Sequence, residues 1–305
     1  MPKPLISVLT PAYNRADRLP ALKASLDAQN SADFEWIVVD DGSSDGTAAL
    51  LESWKGRTAY RLVTLSLPNG GKHRALNSGM ELVSGDWTFV VDSDDRLPPH
   101  ALASIASTVP RCEGSTNCGG IVGLKAHGDG SPITGDFPEG VALADSIELR
   151  YRYGIKADKA EVFRTEVLRA FPFPEFEGER FMSEAVVWNR IARAGWKLFL
   201  LDEVIYEADY LPGGLSAASL ALRVGNPLGA RLFYKEKLEL DLPAKSAIRE
   251  AINFGRFAFH AKAFGAALRE LSPRRRPLAI LAAPLGWAAK IMDTRKLGKA
   301  AREKP

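Results

Sequence analysis

Short apolar runs alternate with helix-spaced apolar residues over the first hundred positions. Residues 6–10 predict a strand, and residues 16–29 carry Leu19, Leu22 and Leu26 at helical spacing. A second strand, 36–39, is rich in β-branched residues and runs into Asp40-Asp41-Gly42. Ser44-Asp45-Gly46-Thr47 supplies turn and cap chemistry for a helix through Trp54. Residues 60–65 read as a third strand and 72–83 as a third helix, stopped by Ser84-Gly85-Asp86. The fourth strand, 87–91, leads straight into Asp92-Ser93-Asp94-Asp95. Strands alternating with helices predict an α/β fold with a mostly parallel sheet covered on both faces.

Beyond the fourth strand the pattern predicts a helix at 101–109, strands at 121–125 and 160–163, and an irregular loop at 128–140. Glu184 to Ala194 places Val187, Trp188 and Ile191 on one helical face. Two short strands follow, at 197–201 and 204–206. Residues 216–271 are helical, with Phe254, Phe257, Phe259 and Phe264 as expected core. Three regions are expected: an α/β domain over 1–215, a helical extension over 216–271, and a basic amphipathic tail over 272–305.

Composition changes this picture in two places. The net charge of +3 is uneven: residues 272–305 hold nine Lys/Arg against two acids, a balance of +7, which leaves residues 1–271 at −4. A mildly acidic body argues against a nucleic-acid-binding role for it, and the basic tail points to an anionic surface. Arg274-Arg275-Arg276 precedes an apolar stretch from Leu278 to Ile291 that contains Trp287. That stretch either lies on an anionic membrane or docks on the protein with its basic end in solvent. The two cysteines, Cys112 and Cys118, either pair or stand as free thiols; a reducing cytosol favours free thiols. The N-terminus has no signal-peptide pattern and no apolar stretch nears the roughly 20 residues of a membrane span. A cytoplasmic protein, peripheral on the inner face of the cell membrane, is the expectation.

Ligands of such sheets gather beyond the C-terminal ends of the strands. There the chain places Pro11-Ala12-Tyr13-Asn14, Asp40-Asp41 and Asp92-Ser93-Asp94-Asp95. Three carboxylates within four residues repel one another unless a cation neutralises them, and their hard oxygens suit Mg²⁺ or Mn²⁺. No Gly-x-Gly-x-x-Gly follows the first strand, which disfavours a dinucleotide site.

Four ordered motifs carry a resemblance. They are Pro11-x-Tyr13-Asn14-Arg15, the run Val39 to Thr47, Asn69-Gly70-Gly71-Lys72-His73-x-Ala75-Leu76-Asn77-x-Gly79, and Gly85-Asp86 leading to Asp92-Ser93-Asp94-Asp95. Together they resemble the family 2 inverting glycosyltransferases, over residues 5–100 tightly and to about residue 215 loosely. The resemblance implies a GT-A-type Rossmann-like sandwich, here with a C-terminal helical extension. It implies that Asp41 hydrogen-bonds the nucleotide base, usually uracil, with Pro11 and Tyr13 packed nearby, while Asp40 shapes the turn. It implies that Asp94 coordinates the metal, Mn²⁺ or Mg²⁺, and that Asp92, with its neighbour Ser93, lies near the ribose and the metal's waters. Lys72 and His73 fall where the family contacts the donor, and a cationic Lys72 suits a diphosphate.

An inverting displacement also needs a general base on the opposite face of the sugar. Glu184 resembles the first member of the family's Glu-Asp pair at a helix start; the second position is Ala185. Glu184 is the candidate base, with Asp202, Glu207 and Asp209 in reserve. Residues 172–180 would be an acceptor-side loop, and 209–216 a lid or a connector. The expected activity is transfer of a hexose or N-acetylhexosamine from a nucleotide-sugar donor, a UDP-sugar first, to a saccharide or lipid-linked acceptor in surface polysaccharide biosynthesis. Two alternatives stand beside it. One is a polyprenyl-phosphate acceptor, already ionised and needing no base; the other is a non-catalytic nucleotide-sugar-binding subunit of a membrane complex.

Overall fold

The computed structural model describes residues 3–31, 33–208 and 219–302. They form two compact units, one of residues 3–173 and 187–208, the other of residues 174–186 and 219–302.

The first unit holds an eight-stranded sheet. Its strands are β1 (Ile6–Ala12), β2 (Phe34–Asp40), β3 (Arg61–Ser66), β4 (Trp87–Val90), β5 (Cys118–Ala126), β6 (Leu143–Ala144), β7 (Ala160–Arg164) and β8 (Lys197–Glu207). The order across the sheet is β3-β2-β1-β4-β7-β5-β8-β6. The pairs β3-β2, β2-β1, β1-β4 and β5-β8 are parallel; β7 runs antiparallel between β4 and β5, and β6 against β8. Every residue of β1 and β2 is buried, as expected of strands covered on both faces. The helix Leu19–Asp27 buries the predicted Leu19, Leu22 and Leu26, each worth about 1.5–3 kcal/mol of apolar burial. The helix Lys72–Met80 packs so close to β1 that a Cβ on Gly79 would stand 2.4 Å from Leu9 Cδ1.

Three sequence expectations need correction here. Residues 197–207 are one strand, because β8 shifts register against β5 at Gly123/Leu124 and Leu124/Lys125 and so continues past the break that the pattern implied. Cys112 and Cys118 form a disulfide, since the end of the helix Ala101–Glu113 and the start of β5 bring their Cα atoms to 5.4 Å. Where the sequence set residues 272–305 apart as a tail, the described helix Arg276–Arg302 contributes Ala279 and Ala282 to the core of the second unit.

That unit contains the helices Ser219–Gly225, Pro227–Leu238, Ala244–His260, Phe264–Glu270 and Arg276–Arg302. Its core is Tyr234, Leu238, Phe254, Phe257 and Leu271 together with Ala279 and Ala282 of the last helix. Phe259 and Phe264 stack on each other at 4.4 Å on its margin, only partly buried. Gly286 lets the last helix meet Ala244–His260 backbone to backbone; a Cβ there would lie 2.9 Å from Arg256 N and Ile252 O. Asp293, 3% exposed, accepts from Arg256 and lies 3.0 Å from His260 Nε2. The arginine triplet is partly spent on the same packing: Arg275 donates to Leu240 O, and Arg276 to Leu271 O and Arg269 O. Segment 174–186 belongs to this unit because Glu179 accepts from the first amides of the helix Pro227–Leu238, Leu228 N at 2.6 Å and Gly229 N at 2.8 Å. A carboxylate there also suits the positive end of the helix.

Candidate donor site at the sheet edge

β1 ends at Ala12 opposite Asp40, the end of β2, and Val91 N bonds Leu9 O just past β4. The three polar clusters therefore leave the sheet side by side. Asn14 joins the first two: its amide donates to Ser43 Oγ and its side chain accepts from Ser44 N, both at 2.8 Å. Asn14 takes a left-handed φ of 52° to do so, a conformation Asn tolerates better than most residues.

Asp40 accepts from Ser43 N at 3.0 Å and so shapes the turn. Asp41, buried beside it, receives Gly70 N on one oxygen at 2.7 Å and Gly71 N on the other at 2.8 Å. Asn69 adds a bond to the second oxygen at 3.2 Å and one to the Asp41 carbonyl at 2.9 Å. Gly42 must be glycine here: its φ is +74°, and a Cβ would stand 2.5 Å from Asn69 N. The helix Lys72–Met80 starts at this clamp, so Asp41 sets the position of Lys72.

Lys72 Nζ lies 2.5 Å from Asp92 Oδ1, and Arg15 Nη2 lies 3.6 Å from Asp94 Oδ2. Behind them Tyr206, on β8, accepts from Asp92 N at 2.9 Å and donates to Asp95 Oδ2 at 2.7 Å. Lys125, on β5, places Nζ 3.8 Å from the centre of the Tyr206 ring, within cation–π range. Burial works against the Asp92 carboxylate, but Lys72, Lys125 and Arg15 outweigh it and hold the group below its ordinary range. Asp95 goes the other way. Burial and the charge of Asp92 push it up to about 7, against the Tyr206 hydrogen bond. Burial and the same two carboxylates raise Tyr206 well above the usual phenol value.

The structure brings Pro11, Tyr13, Asp41, Lys72, Asp92, Ser93 and Asp94 to this edge. Pro11 is buried within β1, Ser93 is buried, and Tyr13 is 47% exposed at the strand end. His73 is 2% exposed in the first turn of its helix. Glu184 sits half-buried in the turn before the helix Ala185–Arg193, in the segment that packs with the helical unit. Among the reserves, Asp202 is exposed on β8, and Glu207 exchanges backbone hydrogen bonds with Arg96. Asp209 and the segment 209–216 lie outside the described residues. Arg15, Lys125 and Tyr206 received no role from the sequence, and Asp95 only a place among the carboxylates that need a cation. Arg15 stands in the Pro11-x-Tyr13-Asn14-Arg15 motif, which was signal enough to find it.

Known proteins resemble this chain in sequence and in fold. Residues 7–139 match the profile described as Glycosyl transferase family 2. An undecaprenyl-phosphate 4-deoxy-4-formamido-L-arabinose transferase of Aeromonas hydrophila is 36% identical over 102 residues, 32% of this chain and 31% of that protein. A PGL/p-HBAD biosynthesis glycosyltransferase of Mycobacterium tuberculosis is 32% identical over 116 residues, 38% of this chain and 45% of that one. The chain thus aligns with less than half the length of these relatives. Among solved structures, S. aureus TarS 1-349 superposes over 98% of this chain and 92% of its own with a TM-score of 0.63 at 20% identity. The mannosyltransferase PcManGT from Pyrobaculum calidifontis, in complex with GDP-Man and Mn²⁺, covers 98% and 87% with a TM-score of 0.57 at 18% identity. These likenesses extend the shared fold across both units. Residues 7–139, which hold the Lys72–Asp92 and Arg15–Asp94 pairs, carry the match to glycosyl transferase family 2.

Proposed function

We propose that the chain is an inverting glycosyltransferase that moves a sugar from a nucleotide-sugar, a UDP-sugar first, to a saccharide or lipid-linked acceptor of surface polysaccharide biosynthesis. The observation that carries this is the pairing of Asp92 and Asp94 with Lys72 and Arg15 at the ligand edge of a family 2 domain. Cations in that position suit the doubly charged diphosphate of a sugar nucleotide. On this reading Pro11, Tyr13 and Asp41 form the base side of the site. Lys72, Arg15 and Lys125 face the diphosphate, while Ser93 and His73 support the loop and the helix that carry these groups. The choice of uridine draws support from S. aureus TarS, solved in complex with UDP and with UDP-GlcNAc.

The site fits a divalent metal. Asp94 has a 26% exposed side chain and a single ion pair at 3.6 Å, so its oxygens are open to a cation. No three Asp, Glu, His or Cys among the described residues are grouped as a metal cage. That suits Mg²⁺ or Mn²⁺, which takes one or two carboxylates and completes its shell with water and substrate phosphate. Asp94 would hold the ion, with Asp92 beside it, and the metal would supply charge neutralisation to the departing diphosphate.

Glu184 is the proposed base that takes the acceptor proton. Ala185, at the first position of its helix, favours a second reading. There the acceptor is a polyprenyl phosphate, already ionised, and Glu184→Gln keeps its activity. A hydroxyl acceptor predicts instead a loss of at least about a hundredfold. Work at the inner membrane face completes the reading; no helix among the described residues is long and apolar enough to cross a membrane.

The test is UDP binding by calorimetry, with and without Mn²⁺, on the wild type and on Asp94→Ala. Metal-dependent binding that Asp94→Ala abolishes is expected. If no nucleoside diphosphate binds with metal present, the reading fails.

A further inference from the structure

Seven large hydrophobic side chains stand exposed among the described residues, and five of them lie on the helix Arg276–Arg302: Ile280, Leu281, Leu285, Trp287 and Met292. Helical spacing sorts that helix into two faces. Ala279, Ala282, Gly286 and Asp293 point into the helical unit, where Gly286 meets the backbone of Ala244–His260 and Asp293 meets Arg256 and His260. On the opposite face Leu281, Leu285, Ala288 and Met292 follow one another at intervals of three or four residues. Leu281 is 78% exposed and Met292 68%. The row spans roughly 16 Å along the helix axis.

The same line continues into exposed charge of one sign. Arg295, Lys296 and Lys299 succeed Met292 on that face, all exposed. Trp287, on another side of the helix, packs edge-on against Phe259 and carries Lys290 Nζ 5.2 Å from its ring centre. The only acid of this helix, Asp293, is buried on the other side. An apolar row closed by cations, with no exposed acid, complements a surface that is hydrocarbon beneath and negative at its headgroups. A protein partner would need apolar area but would gain nothing general from exposed positive charge at one end of it.

We propose that this face is a docking surface for an anionic lipid bilayer, with Leu281, Leu285 and Met292 entering the headgroup boundary and Arg295, Lys296 and Lys299 meeting lipid phosphates. The helix lies along the membrane, because its other face is spent on Ala244–His260. That contact serves the proposed glycosyl transfer, on which its purpose rests, by bringing the chain to a lipid-linked acceptor.

The experiment is co-sedimentation of the full chain with vesicles of phosphatidylcholine alone and of phosphatidylcholine mixed with phosphatidylglycerol. Two triple variants accompany the wild type: Leu281→Gln/Leu285→Gln/Met292→Gln, and Arg295→Ser/Lys296→Ser/Lys299→Ser. Thermal melting and UDP binding on all three proteins separate a docking defect from a folding defect. The wild type is expected on the anionic vesicles only, with binding that weakens as salt rises. The apolar variant loses at least about tenfold in partitioning, and the charge variant about fivefold for each cation removed. Absence of wild-type binding to anionic vesicles overturns the proposal, as does binding that both variants retain. A dimer in sedimentation equilibrium that the apolar variant dissolves, with no vesicle binding, gives the face to a second copy. Vesicle binding without any nucleotide binding leaves the docking surface standing and removes the glycosyl-transfer reading.

Discussion

Asp293 in the helical unit and Asp95 in the sheet unit are nearly as buried as each other, at 3% and 9% exposure, yet their surroundings treat them in opposite ways. Asp293 loses solvation on burial, but hydrogen bonds from Arg256 and His260 more than compensate and hold it below the usual carboxylate range. Asp95 has one hydroxyl donor, Tyr206, and the charges of Asp92 and Asp94 close by, so burial and repulsion raise it to about 7. Asp293 is matched and does structural service. Asp95 belongs to an unbalanced group of carboxylates, and imbalance of that kind is what a polar binding site retains for its ligand.

The comparison breaks or sharpens by substitution. Asp293→Ala leaves Arg256 without its carboxylate and is expected to cost roughly 3 kcal/mol of stability, read by thermal or denaturant melting, with UDP binding of the folded variant unchanged. A loss below about 1 kcal/mol would reduce the pair to the standing of a surface ion pair. Asp95→Asn should act with the opposite sign and depend on pH. Folded Asp95 holds its proton more tightly than the unfolded group near 3.8, so its stabilising contribution is full below about 4 and lost as pH rises to about 7. Asparagine keeps an acceptor for Tyr206 and cannot ionise. A gain on the order of 1–3 kcal/mol at pH 8 and almost none at pH 4 is expected; equal changes at both pH values would sink the account. The smallest effect is that of Arg15→Gln. Titration should show UDP bound about tenfold more weakly, roughly 1.4 kcal/mol, with uridine unaffected. Equal weakening of both would place Arg15 on the base side of the site.

The sequence made the sheet edge legible because each of its clusters directly follows a strand, and strands carry the strongest local pattern in the chain. Asp92 and Asp94 were visible as carboxylates that need cations. Most of the cations that answer them were not. Lys125 and Tyr206 sit on β5 and β8, and they come near the end of β4 only because the antiparallel β7 pairs with both β4 and β5 and so joins the two parallel parts of the sheet. No local spacing encodes that neighbourhood. The disulfide was missed for a related reason: six residues of separation say little until a helix end and a strand start fix the two Cα atoms. Residues 272–305 read as a tail because Ala279, Ala282, Gly286 and Asp293, the residues that bury them, carry almost no hydrophobic signal. Small residues conceal a packed face from any reading based on apolarity.

Asp41 grips Gly70 and Gly71 with the carboxylate that the proposed reading also places beside the nucleobase. Anyone re-engineering donor preference at that position would be editing two properties through one side chain. A substitution meant to admit a different base also lets go of the turn before Lys72, and with it the positive charge meant for the phosphates. Nucleotide choice and leaving-group handling are therefore expected to change as a pair in this scaffold, and a library that varies position 41 alone should yield losses rather than switches. Productive changes of base preference should come from Pro11 and Tyr13, which border the same space without holding that turn.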